Sequence, residues 1–357
     1  MLSTIAVFAF VAVSELSSLY HAQQRSLASR WYDRGAADLK AGRFEAAAGE
    51  FRVALLYSRD NYSYQLGLAQ ALLGAKQSDQ AFTYLLNLWE RQPENGFVNL
   101  ELARIASQSG TAEDALRYYH NAIYGAWTSD AGRHTQGARL ELIGYLLKNG
   151  RKVQAQSELI ELAATLGDDP AMQTHVGDLF AQAQDYQDGL AAYRAALRAS
   201  RNNRQALAGA GKASFELGRY PQAQEYLREA VAGEGGDAES ADLLATVELV
   251  LRMDPFRRGI SDAEEHRLVV QAFAAAGDRL KSCPAASAAA GSKQPSLSDA
   301  WTKMKQEVTE SGLRRDPDLA ESAMELVYSI ERQTSAACQP TDVDKALLLI
   351  AKSHEGN

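Results

Sequence analysis

The chain has 357 residues, more than one compact core usually serves, and its formal net charge is -8. Two or three structural units are therefore expected, and a phosphate backbone is disfavoured as the main ligand. The helix formers Ala, Leu, Glu and Gln are abundant, and the prolines between residues 28 and 235 are Pro93, Pro170 and Pro221, each where a helix can start or stop, which predicts many short helices and few strands.

The first element is Leu2–Val13, LSTIAVFAFVAV, with Glu15 the one formally charged side chain before Arg25. Its apolar part is shorter than the roughly 20 residues a hydrocarbon core needs. It approaches that length only when extended through Tyr20, with Glu15 inside. Three readings fit residues 1–24: a membrane anchor, a signal-peptide core without a basic start or an A-x-A cleavage site, or a buried first helix. Arg25, Arg30 and Arg34 favour a cytoplasmic body, whereas a disulfide farther along favours the opposite side. The expectation adopted is a bacterial-style protein anchored by residues 1–24 with a periplasmic body. A cytoplasmic-face or soluble placement is the alternative.

From about residue 28 the sequence repeats itself. Ala47, Ala81 and Ala115 stand 34 residues apart, and Ala155, Gly189 and Ala223 keep the same spacing. The longer step between the two sets holds a polar insertion at about 128–136. Twelve residues before each anchor stand Gly35, Ala69, Ala103, Ile143, Gly177 and Gly211. Four after it stand Phe51, Leu85, Tyr119, Leu159, Tyr193 and Leu227, and seven after it Ala54, Leu88, Ala122, Leu162, Ala196 and Ala230. Five before it are Gly42, Lys76, Gly110, Gly150, Gln184 and Gly218, mostly turn formers. Each unit then reads as helix A, a turn, and helix B, with small residues where the helices cross and the Phe51-type residue filling the space beyond. One helix pair cannot bury its own apolar face, so stacked pairs share a core. Ile143 and Leu162 are bulky exceptions, so the fourth unit is expected to pack less regularly.

This pattern resembles the tetratricopeptide repeat, W-x-x-L-G-x-x-Y followed by A, F, A and P. Trp31, Gly35, Gly42, Phe44, Ala47, Phe51 and Ala54 match it. Arg34 and Asp38 depart from the usual Leu and Tyr, and Pro93 supplies the terminal proline in the second unit only. The resemblance implies an all-α fold, a right-handed superhelical solenoid of six repeats over residues 25–236. It also implies a concave groove lined by the A helices. By repeat position that groove displays Tyr32, Ala36 and Leu39, then Leu66, Gln70 and Leu73, then Phe97, Leu100 and Arg104, then Leu140, Gly144 and Leu147. Thr174, Asp178, Ala208, Lys212 and Phe215 continue it in more polar form. Members that clamp a peptide carboxylate use Lys, Asn and Arg on these faces. Tyr32 and Ala36 stand at the first two such positions, so the expected partner is a protein or peptide docked by apolar anchors. Tyr118, Tyr124 and Trp127 flank the insertion, either as a contact patch or as a plug between repeats three and four.

Beyond the repeats, residues 237–283 are expected to cap the stack: one helix from Asp237 to Met253, then another from the Ser261 N-cap, with Glu264 completing a capping box. Val269, Phe273 and Leu280 share one face of that second helix. Residues 284–296 read as a linker. A helical C-terminal region over 297–357 follows, with helices expected over Leu297–Gly312, Pro317–Thr334 and Thr341–Lys352. Cys283 and Cys338 are either two separate thiols or one disulfide.

No phosphate-binding, dinucleotide, zinc-protease or nucleophile-elbow motif is present, and none of the six histidines lies three or four residues from another. No cofactor or metal is expected. The leading reading is a non-enzymatic adaptor. A structural spacer or assembly subunit that self-associates through its ends or convex face is the second, and an enzyme in the C-terminal tail the third.

Overall fold

The computed structural model describes residues 2–233, 237–283 and 296–354, with side chains from residue 13 onward. The apolar side chains of residues 2–12 and nearly all of the expected linker over 284–296 thus lie outside the described residues. The described residues form eighteen α-helices and one isolated bridge, Asn95 with Ala126, giving an all-α helical repeat fold. They divide into two compact units, residues 1–158 and 159–357.

Unit 1 holds α1 (Leu2–Lys40), α2 (Phe44–Tyr57), α3 (Tyr62–Gly74), α4 (Ser78–Arg91), α5 (Gly96–Ser109), α6 (Ala112–Ile123), α7 (Ala131–Lys148) and the first half of α8 (Lys152–Ala163). The 34-residue pattern has a local cause at each turn. Gly42, Gly110 and Gly150 take φ of 73°, 78° and 71°, and Lys76 takes 59° at the equivalent place. A left-handed residue ends helix A and starts helix B, which favours glycine. Helix starts repeat as well. The side chains of Asn61 and Asn95 accept from the backbone N–H of Tyr64 and Val98 at 3.2 and 3.1 Å, capping α3 and α5.

Phe51 is buried between two glycines, Gly35 of α1 and Gly67 of α3. A Cβ on either would come within 2.9 or 2.7 Å of its ring. The ring can stand there only because both neighbours lack side chains. Where leucine takes this place, as at Leu85, residue 101 sixteen positions later is Glu rather than Gly.

Two departures from the repeat pattern are explained locally. Asp38 pairs with Arg43, and the Arg34 guanidinium lies 4.9 Å from the Trp31 ring centroid. The polar insertion expected over 128–136 is a loop only in part. Residues 131–136 are the first turns of α7, which starts after Asp130 at φ 43° without a side-chain cap.

Unit 2 begins with the rest of α8 and continues through α9 (Pro170–Gln182), α10 (Tyr186–Ala199), α11 (Arg204–Glu216) and α12 (Tyr220–Val231). The same devices recur. Gln184 and Gly218 take φ of 62° and 69°, Asp169 and Asn203 cap α9 and α11, and Tyr193 is flanked by Gly177 and Gly209. α13 (Ala238–Met253), capped by Asp237, and α14 (Asp262–Ser282) follow as expected. The capping box forms only by half: Ser261 Oγ accepts from the Glu264 N–H at 3.3 Å, but the Glu264 carboxylate turns to Arg267 at 2.6 and 3.0 Å. The helix expected over Leu297–Gly312 is two pieces, α15 (Leu297–Met304) and α16 (Glu310–Leu313). The second starts on its own Thr309 cap.

α17 (Asp318–Ala337) and α18 (Asp342–His354) close the chain. They share one core with α12, α13 and α14, built from residues such as Leu227, Val250, Phe273, Val327 and Leu347. Trp301 of α15 stacks on Phe273 at 5.5 Å and donates to its carbonyl at 2.9 Å. Cys283 and Cys338 form a disulfide, 55 residues apart in sequence, joining the ends of α14 and α17. Beside it the buried Arg279 donates to the carbonyls of Cys338 and Gln339 at 2.8 and 3.1 Å and lies 3.4 Å from Asp344. Glu331 is fully buried there, and neither of its oxygens has a hydrogen-bond partner among the described residues. Burial, then the Asp344 charge, push its carboxyl up to about 7, against the opposing pull of Arg279.

Candidate functional site

The A helices of unit 1 are α1, α3, α5 and α7. They are linked side by side. Tyr32 of α1 stacks on Tyr64 of α3 with ring centroids 4.9 Å apart. Tyr62 of α3 accepts from the Asn95 cap of α5 at 3.0 Å. Arg104 of α5 donates from Nε to Glu141 of α7 at 2.8 Å.

Most of the groove residues are half-buried. Tyr32, Leu39, Leu66, Leu73, Phe97 and Leu147 each keep part of the side chain open while resting on the buried core. Gln70, Leu140 and Arg104 are also partly open. A side chain in this position loses only part of its contact with water on folding, so a ligand that covers the rest gains further apolar burial.

Three of the expected contact residues are placed differently. Leu100 is 7 % exposed and belongs to the core beneath the surface, because α5 is buried on nearly every side over residues 98–103. Arg104 is not a free cation. Glu101 of its own helix holds its Nη1, and Glu141 takes its Nε and Nη2, so hydrogen bonding to Glu141 raises its already high pKa. Burial raises the Glu101 carboxyl pKa, with Arg104 opposing. The trio makes a polar closure between α5 and α7 whose formal charge is -1, from two carboxylates and one guanidinium. Tyr118 is 5 % exposed, edge-on to Trp89 at 5.9 Å, and so offers no contact surface.

The other two aromatic residues by the insertion divide. Trp127 stacks on His134 with ring centroids 4.5 Å apart, donates to the Ala122 carbonyl at 3.0 Å and packs on Gly96. The segment before it runs beside the start of α5, with Ala126 N–H donating to Glu94 at 2.7 Å and Gly96 N–H to Ala126 at 2.8 Å. Trp127 therefore fills the junction. Tyr124 is 73 % exposed, with the Arg139 guanidinium 5.9 Å from its ring.

In unit 2 the corresponding face mixes charged and polar side chains with an apolar lining. A cavity of about 580 Å³ is lined by Asp178, Tyr186, Gln205, Lys212 and Glu239 among others. Its groups are largely matched to one another: Asp178 accepts from Tyr193 at 2.7 Å and from Gln205 at 2.8 Å, and Lys212 donates to Glu239 at 2.8 Å. Burial, then the bond to Asp178, raise the Tyr193 phenol pKa. Thr174 is buried and receives the Asn203 amide at 2.9 Å. Ala208 and Phe215 remain partly open.

The sequence reading missed two repeating devices. One is the row of helix caps Asn61, Asn95, Asp169, Asn203 and Asp237, which falls on the same 34-residue spacing with a gap at the insertion. The other is the glycine sixteen residues after an aromatic filler, Gly67 after Phe51 and Gly209 after Tyr193. Among the described residues no group of three or more His, Cys, Asp or Glu could hold a metal ion. No helix of the described residues is long and apolar enough to cross a membrane.

Comparison with known families matches residues 180–247 to the tetratricopeptide repeat. Among solved structures, the P58(IPK) TPR domain aligns over 92 % of this chain and 98 % of its own, at 13 % identity and a TM-score of 0.32. The C-terminal part of a TPR repeat-containing protein from Cytophaga hutchinsonii aligns over 86 % and 97 %, at 10 % identity and a TM-score of 0.46. The TPR2AB domain of yeast Sti1, solved as a pHSP90 complex, aligns over 62 % and 99 %, at 17 % identity and a TM-score of 0.26. No curated protein matches the chain.

Proposed function

We propose that this tetratricopeptide repeat protein is a non-catalytic scaffold that holds a protein or peptide partner on the A-helix face of unit 1. The observation that carries the reading is the row of half-buried apolar side chains Tyr32, Leu39, Leu66, Leu73, Phe97 and Leu147. They rise from successive A helices whose spacing is fixed by the core beneath. A preformed face of this kind loses little side-chain freedom when it binds, so its remaining apolar area turns into affinity efficiently. Gln70 and the Glu101–Arg104–Glu141 trio supply polar contacts that set the register of an extended or helical segment.

The test is recovery of partners by the full chain and by Leu66→Glu combined with Leu140→Glu, after native cross-linking and mass spectrometry. The expected result is loss of specific partners from the double variant while its helical circular dichroism is unchanged. Unchanged recovery removes this face from the account.

The reading extends to a tether. α1 continues far N-terminal of Ala28, the first buried residue of the stack, and Val13, Leu16, Leu19 and Tyr20 are 59–69 % exposed there. An apolar stripe this open is suited to a membrane. The Cys283–Cys338 disulfide favours placing the body in an oxidising compartment. Retention in the membrane pellet after carbonate washing, and a band that shifts on reduction in non-reducing electrophoresis, are the expected results. A soluble chain with free thiols overturns both.

A further inference from the structure

Unit 2 carries a basic recess outside the partner-binding face. It is a cavity of about 840 Å³ between the first turn of α12, the last turn of α13, the loop at 254–260 and the end of α18. Arg228, Arg252, Arg257 and Arg258 line it, with Glu248 and Asp254 as its acids. Both acids are engaged. Glu248 accepts two bonds from Arg228, at 3.1 and 2.8 Å. Asp254 accepts the Phe256 N–H at 2.9 Å and lies 3.3 Å from His354 Nε2.

That leaves Arg252, Arg257 and Arg258 with no ion-pair partner among the described residues. Arg257 is the most telling of them. Its Nε is shut off from solvent and meets no acceptor. Glu264, a carboxylate that feels its charge, is already bonded to Arg267. An occluded guanidinium N–H without an acceptor is costly, and an anion in the recess removes the cost.

The backbone adds to the same field. α12 begins at the recess, and its N-cap residue Arg219 makes no side-chain capping bond. The positive end of the helix therefore faces that wall, although Pro221 in its first turn supplies no N–H. In a chain of net charge -8, three unpaired guanidiniums around one cavity also repel one another unless a counter-charge joins them.

We propose that this recess binds a phosphate-bearing anion, with Arg252, Arg257 and Arg258 donating to its oxygens and the start of α12 facing it. A carboxylate offers two oxygens and one charge, too few for three forks. A phosphate group offers three oxygens and close to two charges. A soluble phosphate compound and a phospholipid headgroup share that chemistry.

The experiment uses the full chain in two arms. One is calorimetric titration with pyrophosphate, with glutamate as the carboxylate control. The other is co-sedimentation with phosphatidylcholine vesicles, with and without phosphatidic acid. Expected is saturable pyrophosphate binding that weakens with salt and falls about tenfold in Arg257→Gln or Arg258→Gln. Lys148→Gln in unit 1 should leave it unchanged. Arginine-dependent pyrophosphate binding with no gain from phosphatidic acid assigns a soluble ligand, and an arginine-dependent gain on phosphatidic acid assigns a headgroup. Failure of both arms, equal binding of glutamate, or binding that survives in the Arg257→Gln, Arg258→Gln double variant overturns the proposal. Arg258 is exposed, so its single variant is not expected to disturb folding.

Discussion

The two units solve the same packing problem at different ranges. In unit 1 each helix leans mainly on its neighbours in sequence, and the caps and turns recur along the chain. In unit 2 the repeats give way to helices tied across long sequence distances. The Tyr220 hydroxyl donates to the Leu349 carbonyl 129 residues away, and the disulfide closes a 55-residue separation. Local contacts form at small entropic cost and can be repeated, whereas distant ones need a strong link or a specific buried group. A repeat array also exposes apolar surface wherever it stops, and α17 and α18 cover that surface on α12 and α13.

Removing the disulfide is the largest expected way to pull the two units apart experimentally. Cys283→Ser with Cys338→Ser should destabilise unit 2 by about 4 kcal/mol, the chain-entropy value for a loop of this length. Unit 1 should be unaffected. Hydrogen exchange resolved by segment checks this, and equal loss of protection in both units would erase the distinction.

The buried carboxyl comes next. The Glu331 pKa in the folded chain, about 7, lies above its ordinary 4.5, so the folded state holds the proton more tightly than the unfolded state. Its favourable contribution is full below about 4.5 and is lost as the pH rises through about 7, an effect of up to about 3 kcal/mol. Glu331→Gln should therefore stabilise unit 2 at pH 8 and flatten its melting profile between pH 5 and 8. A profile unchanged by the substitution would show that the group does not govern that window.

Smaller effects should be shared by the two units. Gly67→Ala in unit 1 and Gly209→Ala in unit 2 each drive a methyl into an aromatic ring, with an expected cost of about 1–2 kcal/mol after the gain in helix propensity. Adding Phe51→Leu should recover part of the loss in the first case. Chemical denaturation measures both, and a neutral Gly67→Ala would sink the sandwich explanation. Smallest, Lys76→Gly and Gln184→Gly should each raise stability by roughly 0.5–1 kcal/mol, since both hold a left-handed φ that glycine adopts freely. Unequal gains would show that the turns differ between units.

How far the sequence could be read follows from the same contrast. The A and B helices, their crossings and the turns between them were legible because each leaves a mark every 34 residues. The glycine pairs and the Asn/Asp caps carried the same period and were readable in principle. Leu100 was placed in the groove because repeat position alone does not show that α5 is buried on nearly every side, and Tyr118, readable as contact or plug, is buried against Trp89. Arg104 was placed on the groove without its partners because the carboxylate that captures it, Glu141, lies one repeat away in a longer helix. The α15–α16 break and the Arg279–Asp344–Glu331 cluster have no period at all, and only the folded chain brings them together.

The 39-residue helix α1 has a geometric consequence. It runs without interruption from Leu2 into the first repeat, so whatever grips its far end fixes the azimuth at which Tyr32 and Leu39 are presented. One residue inserted before Ala28 turns that presentation by about 100° and advances it by about 1.5 Å, whereas seven residues nearly restore the original phase. The chain thus carries its orientation as a count of residues, and phase-shifting insertions should matter more than length alone.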